Sequence, residues 1–573
     1  MTFQSTHPNF IRMPITLVIM AALLAVPPVV QAQTPGDAGT FRQQIEQGQT
    51  PALPRKVLPE RPLEPAPLKA QQGTTVTVKT FRFAGNTLLS EEQLTPAVAQ
   101  YLNRPLNLAE LNKAAAAVAD AYRRAGWVVR AYLPKQDIQD GSVTIQIVEA
   151  VFSGAIIDGE APHRFPVASA LDMIEAAQSR GEKLSAADID RALLLLDDLP
   201  GVAATGNFRA GKNEGETELA LKLADEPLIR FEVGADSTGS SATGSARLLA
   251  NLALNSPLGL GDLVSANYLH TDGSDYLRVG YTQPVGLDGW RVGANGSVLN
   301  YRLVAPEFES LNAKGSSDSI GLEASYPIIR SRPRNLYLQL NHDRKSFDNE
   351  ANGATTSRYR LNASSIGIFG NLFDNMGGGG ANIANLIYTY GDLNLNGSPT
   401  QATDALTTQT DGHYGKWRYA MSRQQVVSNN LSLYAAFSGQ WSPDNLDSAE
   451  KFYLGGANGV RAYPSSEAGG AQGQMLNLEL RGKLPHGFTI TPFYDWGRVL
   501  VNTNNNYMGA ANPNSISLKG IGLALGWQGD TGLSAKLTWA HRQGGNPNPT
   551  STGKDQDGSL IKNRLWVSVM LPF

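Results

Sequence analysis

The spacing of hydrophobic positions changes several times along this chain. An uninterrupted apolar run, ITLVIMAALLAVPPVV, stands near the N-terminus. Between about residues 75 and 226, segments with the two-residue alternation of strands are interleaved with segments in which apolar positions recur every three or four residues, as in helices. After that point only alternation remains, in segments of about ten residues separated by Gly, Asn, Asp and Ser. The pattern predicts an α+β region followed by an all-β region.

The apolar run has the features of a cleaved export signal. Arg12 precedes it, and Val30 and Ala32 are the small residues that signal peptidase favours. A membrane anchor would need about 20 apolar residues, whereas this run is shorter and is interrupted by two prolines. We therefore predict that residues 1–32 are a signal peptide and that the mature chain begins at Gln33.

Residues 33–74 lack the pattern of a packed domain. Residues 33–49 contain AGTFRQQIEQGQ, which permits a short helix with Phe41 and Ile45 on one face. The prolines of residues 50–74 predict an extended, semi-rigid linker. The sequence thus indicates a tethered helical element, with a disordered leader as the alternative.

The order strand, helix, helix, strand, strand occurs twice, in residues 75–149 and 150–226. In the first copy, SEEQ at Ser90 has the spacing of a capping box at a helix start, and NLAE at Asn107 begins a second helix. The second copy contains DLPGV at residues 198–202, which resembles the helix-to-strand corner of POTRA domains. The repeat of one supersecondary unit predicts a tandem of α+β domains, and each copy resembles a POTRA domain in size and element order. Two unrelated α+β modules are the alternative.

Sixteen candidate strands follow in residues 227–573. In QMLNLELRGKLP the leucines fall on one side and Asn477, Glu479 and Arg481 on the other, as expected if lipid covers one face and a wet lumen the other. The last segment, KNRLWVSVMLPF, carries an apolar row, and its terminal Phe573 resembles the signal read by the outer-membrane barrel assembly machinery. These features predict an all-β, sixteen-stranded transmembrane β-barrel, with a soluble array of β-sandwiches as the alternative.

The composition and the absence of certain motifs exclude several kinds of functional site. The chain contains no cysteine, which excludes disulfides, thiolate metal sites and cysteine nucleophiles. Its net charge of −3 does not suggest a nucleic-acid partner. Neither a phosphate-binding GxxxxGKS/T segment nor a metal-binding HExxH or a nucleophile-bearing GxSxG segment occurs. We therefore expect no cofactor, no metal and no enzymatic activity.

The longest connector of the predicted barrel is the sixth extracellular loop, residues 443–473, and it contains GGANGVRAYP. This segment resembles the sixth-loop motif of two-partner secretion transporters, whose general form is Val-Arg-Gly followed by Tyr or Phe. The matching residues are Gly459, Val460, Arg461 and Tyr463. Ala462 departs from the motif, since the family has glycine there. The resemblance implies a loop that folds inward.

A second segment of the same family lies one strand later, in TPFYDWGRV. Phe493, Asp495 and Gly497 match the Phe-x-Asp-x-Gly pattern of the family's thirteenth strand. Strand alternation independently places Asp495 in the lumen, because Tyr494 and Trp496 belong to the apolar row. The two motifs together imply that the Arg461 guanidinium locks the loop to the Asp495 carboxylate inside the barrel.

The resemblance to two-partner secretion transporters covers nearly all of the mature chain. It implies a pore in the outer membrane that moves one large exoprotein, of the adhesin, haemolysin or haem-binding kind, from periplasm to cell surface without nucleotide hydrolysis. The periplasmic POTRA domains would bind the exoprotein, and the helix of residues 33–49 would plug the lumen. Outer-membrane lipid and the barrel assembly machinery are the other expected partners. A barrel assembly factor of the same superfamily, a barrel enzyme and a passive porin are the alternatives.

Overall fold

The computed structural model describes residues 36–47, 75–138 and 140–573. The predicted signal peptide and the proline-rich linker lie outside these residues. The described chain begins with helix α1 (Ala38–Gln47), continues through two α+β units and ends in a closed barrel.

The first α+β unit contains short strands that alternate between buried and exposed positions. Its elements are β1 (Val76–Thr77), β2 (Thr80–Ala84), α2 (Glu91–Val98), β3 (Pro105–Leu106), α3 (Leu108–Arg124), β4 (Val129–Tyr132) and β5 (Ser142–Glu149). The predicted capping box is present at Ser90 before α2, and a second one occurs at Asn107 before α3. The three-stranded sheet has the order β2, β5, β4, with β2 parallel to β5.

The second unit repeats that architecture. It contains β6 (Val151–Ile157), α4 (Val167–Ala177), α5 (Ala186–Asp197), β7 (Val202–Ala210) and β8 (Glu216–Asp225). Its sheet has the order β6, β8, β7, with β6 parallel to β8 and β7 antiparallel to it, as in the first unit. The same chain order and the same sheet order in both units explain why the sequence pattern repeats.

Main-chain and charged contacts connect the units to each other and to the barrel. Val128 N donates to Leu184 O (3.1 Å), which joins the first unit to the second. Asp198, in the DLPGV corner, accepts hydrogen bonds from Arg330 Nε (2.6 Å) and Nη2 (2.8 Å). Arg330 ends a barrel strand, so this bidentate pair fixes the second unit against the periplasmic rim.

The barrel is a closed antiparallel sheet of sixteen strands. The strands are β9 (Ile229–Asp236), β10 (Arg247–Asn255), β11 (Leu263–Thr271), β12 (Ser274–Val285), β13 (Trp290–Arg302), β14 (Lys314–Arg330), β15 (Arg334–Ala351), β16 (Ala354–Asp374), β17 (Gly380–Asn394), β18 (Gly412–Ser428), β19 (Leu431–Trp441), β22 (Gln472–Lys483), β23 (Phe488–Leu500), β24 (Ser515–Gln528), β25 (Ser534–Arg542) and β26 (Asn563–Pro572). Two further strands, β20 (Phe452–Tyr453) and β21 (Gly469–Gly470), pair within the loop between β19 and β22. The last barrel strand, β26, closes on the first, β9.

Strand alternation divides the barrel surface into a lipid face and a lumen face. The outward rows of β22 and β26 are the predicted leucine and valine rows, and they are exposed. A closed sheet pairs the edges of all its strands, which is the condition for crossing a bilayer with strands. No helix of the described residues combines the length and the apolar character needed to cross a membrane.

Short helical segments after residue 226 were not indicated by the sequence. Helix α6 (Gln401–Leu406) lies in the loop between β17 and β18, and short 3-10 helices occur at Pro306–Leu311 and Ser448–Glu450. Each has six residues or fewer, which is too short to show helical periodicity.

Candidate functional site

The loop between β19 and β22 turns back into the lumen. A set of its side chains is fully or almost fully buried: Leu454, Val460, Ala462, Tyr463 and Ala468. They pack with inward residues of the wall, including Phe493, Val499 and Leu518. An apolar loop core of this kind is stable only when strands surround it, so the loop is folded inward rather than extended into solvent.

Two glycines, one in the loop and one on the wall, allow close packing around the tip of the loop. Val460 N donates to Leu454 O at 2.7 Å, which closes a tight turn around Gly459. A Cβ built on Gly459 would lie 2.0 Å from Leu454 O. On the wall, a Cβ on Gly497 would lie 2.6 Å from the Leu454 side chain. Both motif glycines are therefore needed for close approach.

Arg461, at the tip of this loop, contacts Asp495 on β23. Arg461 Nε donates to Asp495 Oδ2 (2.8 Å), and Nη2 donates to Oδ1 (2.7 Å). The Arg461 main-chain N–H gives a third hydrogen bond to Oδ2, at 3.0 Å. The exposed fraction is 4% for Arg461 and 0% for Asp495. The structure thus brings together the two residues that the sequence motifs paired.

Other lumen groups complete the surroundings of this pair. Arg461 Nη1 donates to Glu479 Oε1 (2.7 Å), and its guanidinium lies 3.5 Å from the centroid of the Phe493 ring. Asn477 Nδ2 donates to Asp495 Oδ1 (2.8 Å) and to Gly459 O (3.1 Å). A buried pair with its remaining hydrogen-bonding capacity satisfied in this way is expensive to break, at about 3–5 kcal/mol when one partner is removed.

Tyr463 and Ala462 fill the other side of the loop tip. The guanidinium of Arg542 lies 4.5 Å from the centroid of the Tyr463 ring. A Cβ built on Gly520 of β24 would lie 2.6 Å from the Ala462 methyl group. Ala462 does not adopt a positive φ. The glycine of the family motif is therefore not required for the backbone here, and Gly520 provides the space for the alanine methyl group.

Helix α1 lies in the same lumen. Phe41 is buried, with its ring centroid 4.9 Å from that of Tyr301 on β13, and Ile45 packs at the edge of the same cluster. On the polar side, Arg42 Nη2 donates to Ser297 Oγ (2.8 Å) and Nη1 donates to Ser317 Oγ (3.1 Å). The apolar stripe seen in the sequence therefore faces the barrel wall, and so does a buried arginine.

The helix also contacts the inward loop. Ser448 Oγ donates to Asp37 Oδ2 at 2.7 Å, and the Thr40 and Tyr453 hydroxyls are 3.1 Å apart. Burial, and then the nearby Asp37 carboxylate, raise the pKa of the loop residue Asp447 to about 6. Helix and loop are thus held to each other as well as to the wall.

A chain of charges joins helix, loop and wall. Lys345 Nζ on β15 lies 3.8 Å from Glu46 Oε2 of the helix and 3.6 Å from Glu450 Oε1 of the loop. Lys416 on β18 also pairs with Glu450. Lysines on the wall therefore neutralise carboxylates from both segments that occupy the lumen.

Several participants were not identified from the sequence. Glu479 was placed on the lumen face but not recognised as a partner of Arg461, although it lies in the same row as Asn477. Arg42 had no signal in the sequence, because its serine partners are about 255 to 277 residues away. Trp566 of the last strand was missed as well, and its Nε1 donates to Arg461 O at 2.8 Å.

Phe573 lies apart from this site. It is 70% exposed, and its main chain pairs with Phe231 of β9 at the barrel seam. The aromatic ring is on the outside of the barrel, 6.0 Å from that of Phe231.

A sixteen-stranded barrel with an α+β pair at one rim and a loop folded into its lumen defines an outer-membrane protein of the transporter type. Residues 215–529 match the model of a family described as haemolysin secretion/activation protein ShlB/FhaC/HecB, and residues 76–150 match that of the ShlB-type POTRA domain. The chain belongs to this family of two-partner secretion transporters. The protein is located in the outer membrane, with its POTRA region in the periplasm.

Individual relatives are distant in sequence but similar over most of their length. The chain is 24% identical over 493 residues to the heme/hemopexin transporter protein HuxB of Haemophilus influenzae (strain 86-028NP), covering 84% of both chains. It is 26% identical over 431 residues to the outer membrane transporter CdiB of Dickeya dadantii (strain 3937), covering 72% of this chain and 74% of CdiB. The solved structure of CdiB from Escherichia coli superposes with a TM-score of 0.68 at 21% identity, covering 95% of this chain and all of CdiB.

Proposed function

We propose that this protein is the outer-membrane pore for one large exoprotein, which it receives unfolded in the periplasm and releases at the cell surface. In this proposal the lumen is closed at rest by helix α1 and by the inward loop. The Arg461–Asp495 pair holds the loop in its place, and the helix is released when the exoprotein enters.

The observation that carries the proposal is the double occupancy of the lumen. Two segments that are not part of the barrel wall, α1 and the β19–β22 loop, fill its interior and are anchored through side chains rather than through strand pairing. Side-chain anchors can be exchanged one by one, whereas a strand of the wall cannot be removed without opening the sheet. A helix held in this way is suited to act as a plug.

The periplasmic edge strand β7 supports strand addition as the mode of exoprotein binding. It pairs with β8 on one edge only. Ala204 N donates to the Asp197 side chain instead of to β8, so alternate N–H groups, including those of Gly206 and Phe208, point to the free edge. An extended chain can pair with such an edge through its main chain, with little demand on its sequence.

Folding of the exoprotein at the cell surface is the proposed source of free energy. A chain that folds outside gains the free energy of folding, about 5–15 kcal/mol for a domain, and cannot return through the pore in that form. The names of the relatives indicate different transported molecules. We therefore propose only the class of the exoprotein, which is of the adhesin, haemolysin or haem-binding kind.

The test is a deletion of this gene in its native host, followed by quantitative proteomics of the culture supernatant, the cell surface and the outer membrane. We expect one large protein to disappear from the surface and supernatant while the other outer-membrane barrels keep their abundance. Complementation with the wild-type gene should restore it. A general loss of barrels would favour the assembly factor, and an unchanged exoproteome would contradict secretion.

A further inference from the structure

The outward face of β23–β25 carries a cluster of positive charge at its extracellular end. Arg498 and Lys519 are both exposed and lie on the lipid-facing rows of β23 and β24. Lys519 is opposite Trp496, and Ser517 is opposite Arg498, so the two cations are diagonal neighbours on one face. At such positions Cβ atoms are about 7–8 Å apart, and both side chains can reach one anion between them.

Neighbouring polar groups extend this cluster. Arg498 Nε donates to Ser515 Oγ (2.9 Å). On β25, His541 is hydrogen-bonded to Asn563 (2.7 Å) and stacked on Trp539. No ion-pair partner of Arg498 or Lys519 occurs among the residues that the structure describes.

The cluster lies at the depth where lipid headgroups begin. The outward row of β23 is apolar from Phe488 to Trp496, a distance of eight residues, or about 26 Å along the strand. With the usual tilt of about 35–45°, this row spans about 20 Å of the roughly 25 Å apolar band of a bacterial barrel. Arg498 is the next outward residue, and Trp496 forms the interfacial aromatic level just below it.

The outward rows of this sector carry charge of one sign only. In the described part of β22–β26, the outward rows contain no Asp or Glu, and the loop of residues 501–514 has no charged residue. The outward face of β14–β16 is different, because Arg344 and Arg360 share it with acidic residues. Those acids include Asp348, which pairs with Arg358 (2.6 Å), and Glu350, which pairs with Lys314 (3.5 Å).

We propose that Arg498 and Lys519 form a binding site for a phosphate group of the anionic glycolipid in the outer leaflet. A guanidinium can hold two phosphate oxygens at once, and the ammonium of Lys519 adds a point charge beside it. Basic clusters at the membrane surface contribute about 1 kcal/mol per Lys or Arg to the binding of anionic lipid. The site is on the outside of the barrel and does not depend on what passes through the lumen.

The test uses the full-length protein in detergent, titrated with diphosphoryl lipid A and followed by native mass spectrometry. The variants are Arg498→Ala/Lys519→Ala and, as a matched control, Arg344→Ala/Arg360→Ala, which removes two outward arginines from the mixed sector. We expect the first variant to bind lipid A about thirtyfold more weakly, because two charges are lost, and the control to remain within about twofold of the wild type. Heat-modifiable migration verifies the fold of each variant.

Three probes separate the possible sources of phosphate. Dephosphorylated lipid A should bind wild-type protein about as weakly as diphosphoryl lipid A binds the double variant. Inorganic phosphate should displace lipid A no better than sulfate at equal ionic strength. Equal binding by wild type and double variant, an equal loss in the control, or equal affinity for dephosphorylated lipid A would each overturn the site. If the double variant does not fold, Arg498→Gln/Lys519→Gln replaces it with the same criteria.

Discussion

The guanidinium of Arg461 and the carboxylate of Asp495 meet through two hydrogen bonds, while the Arg461 main-chain N–H donates to the same carboxylate. The loop is therefore attached to the wall by its backbone as well as by its side chain. Removal of the guanidinium leaves Asp495 with the main-chain donor and with Asn477. We expect such a loop to stay in the lumen but to lose its fixed position.

Substitution of Arg461 by lysine tests the planar geometry of this pair. Arg461→Lys keeps the charge but cannot donate to Asp495 and Glu479 at the same time in the way the guanidinium does. We expect secretion of the exoprotein to fall nearly as far as in Arg461→Ala, with normal heat-modifiable migration. Arg344→Lys, at an exposed position of β15, serves as a control for the substitution type. Full secretion by Arg461→Lys would show that charge alone suffices.

Helix α1 should be released when its buried arginine is removed. Arg42→Ala deletes the hydrogen bonds to Ser297 and Ser317 and leaves Glu46 without its intrahelical partner. Each lost hydrogen bond of a charged group is worth about 1.5–3 kcal/mol, so we expect channels in planar bilayers to open more often and with larger conductance. Arg82→Ala in the first POTRA unit should not change the conductance. A closed Arg42→Ala channel would contradict the plug.

The contact between helix and loop should strengthen as the pH falls. The pKa of Asp447 is raised to about 6 by burial and by Asp37, whereas the released carboxyl has its ordinary value near 3.8. Docking therefore takes up a proton between these two values, and it is favoured as the pH falls from about 7.5 to 5. We expect conductance to decrease over this interval in wild type. Asp447→Asn keeps the cap of the 3-10 turn and should abolish the pH dependence of the conductance. An equal pH dependence in the wild type and in Asp447→Asn would refute the role of Asp447.

Substitutions at Ala462 and Gly520 should depend on each other, because the space between these two positions holds only one methyl group. Gly520→Ala places a methyl group where the Ala462 methyl group needs room, since a Cβ at position 520 would lie only 2.6 Å from it. We expect Gly520→Ala to displace the loop tip and to reduce secretion, at a cost of about 1–3 kcal/mol for overpacking. Ala462→Gly alone should be nearly neutral, and the Ala462→Gly/Gly520→Ala double variant should recover. Secretion that stays low in the double variant would show that the methyl contact is not the cause.

Strand addition at β7 can be tested with two changes at one position. Phe208→Pro removes a main-chain donor from the free edge and leaves the hydrogen bonds to β8 intact. Edge strands tolerate proline at such a position. Phe208→Ala removes the half-exposed side chain and keeps the donor. We expect Phe208→Pro to reduce secretion severalfold and Phe208→Ala to reduce it little. The opposite order would assign binding to the aromatic ring instead of the backbone.

The sequence predicted the barrel and its lumen faces because alternation is a local signal. It also predicted the approach of Arg461 to Asp495, through two motifs that resemble those of a known family. It did not predict the partners of Arg42, because Ser297 on β13 and Ser317 and Ser319 on β14 are far from it in sequence and carry no pattern of their own. Glu479 was predicted only in part. Strand alternation placed it on the lumen face, but its contact with Arg461 depends on the path of a loop that has no periodic pattern.

The central claim is that the pair of Arg461 and Asp495 acts as one unit in secretion. The most direct measurement is a double-mutant cycle of exoprotein secretion with Arg461→Ala, Asp495→Ala and the double variant, all with equal amounts of folded barrel in the outer membrane. Residues in one contact network are non-additive, with a coupling of about 1–3 kcal/mol. We predict that each single variant reduces secretion strongly. We also predict that the double variant secretes at least as much exoprotein as the single variant that secretes less. Defects that multiply in the double variant, or single variants that secrete normally, would contradict the lock.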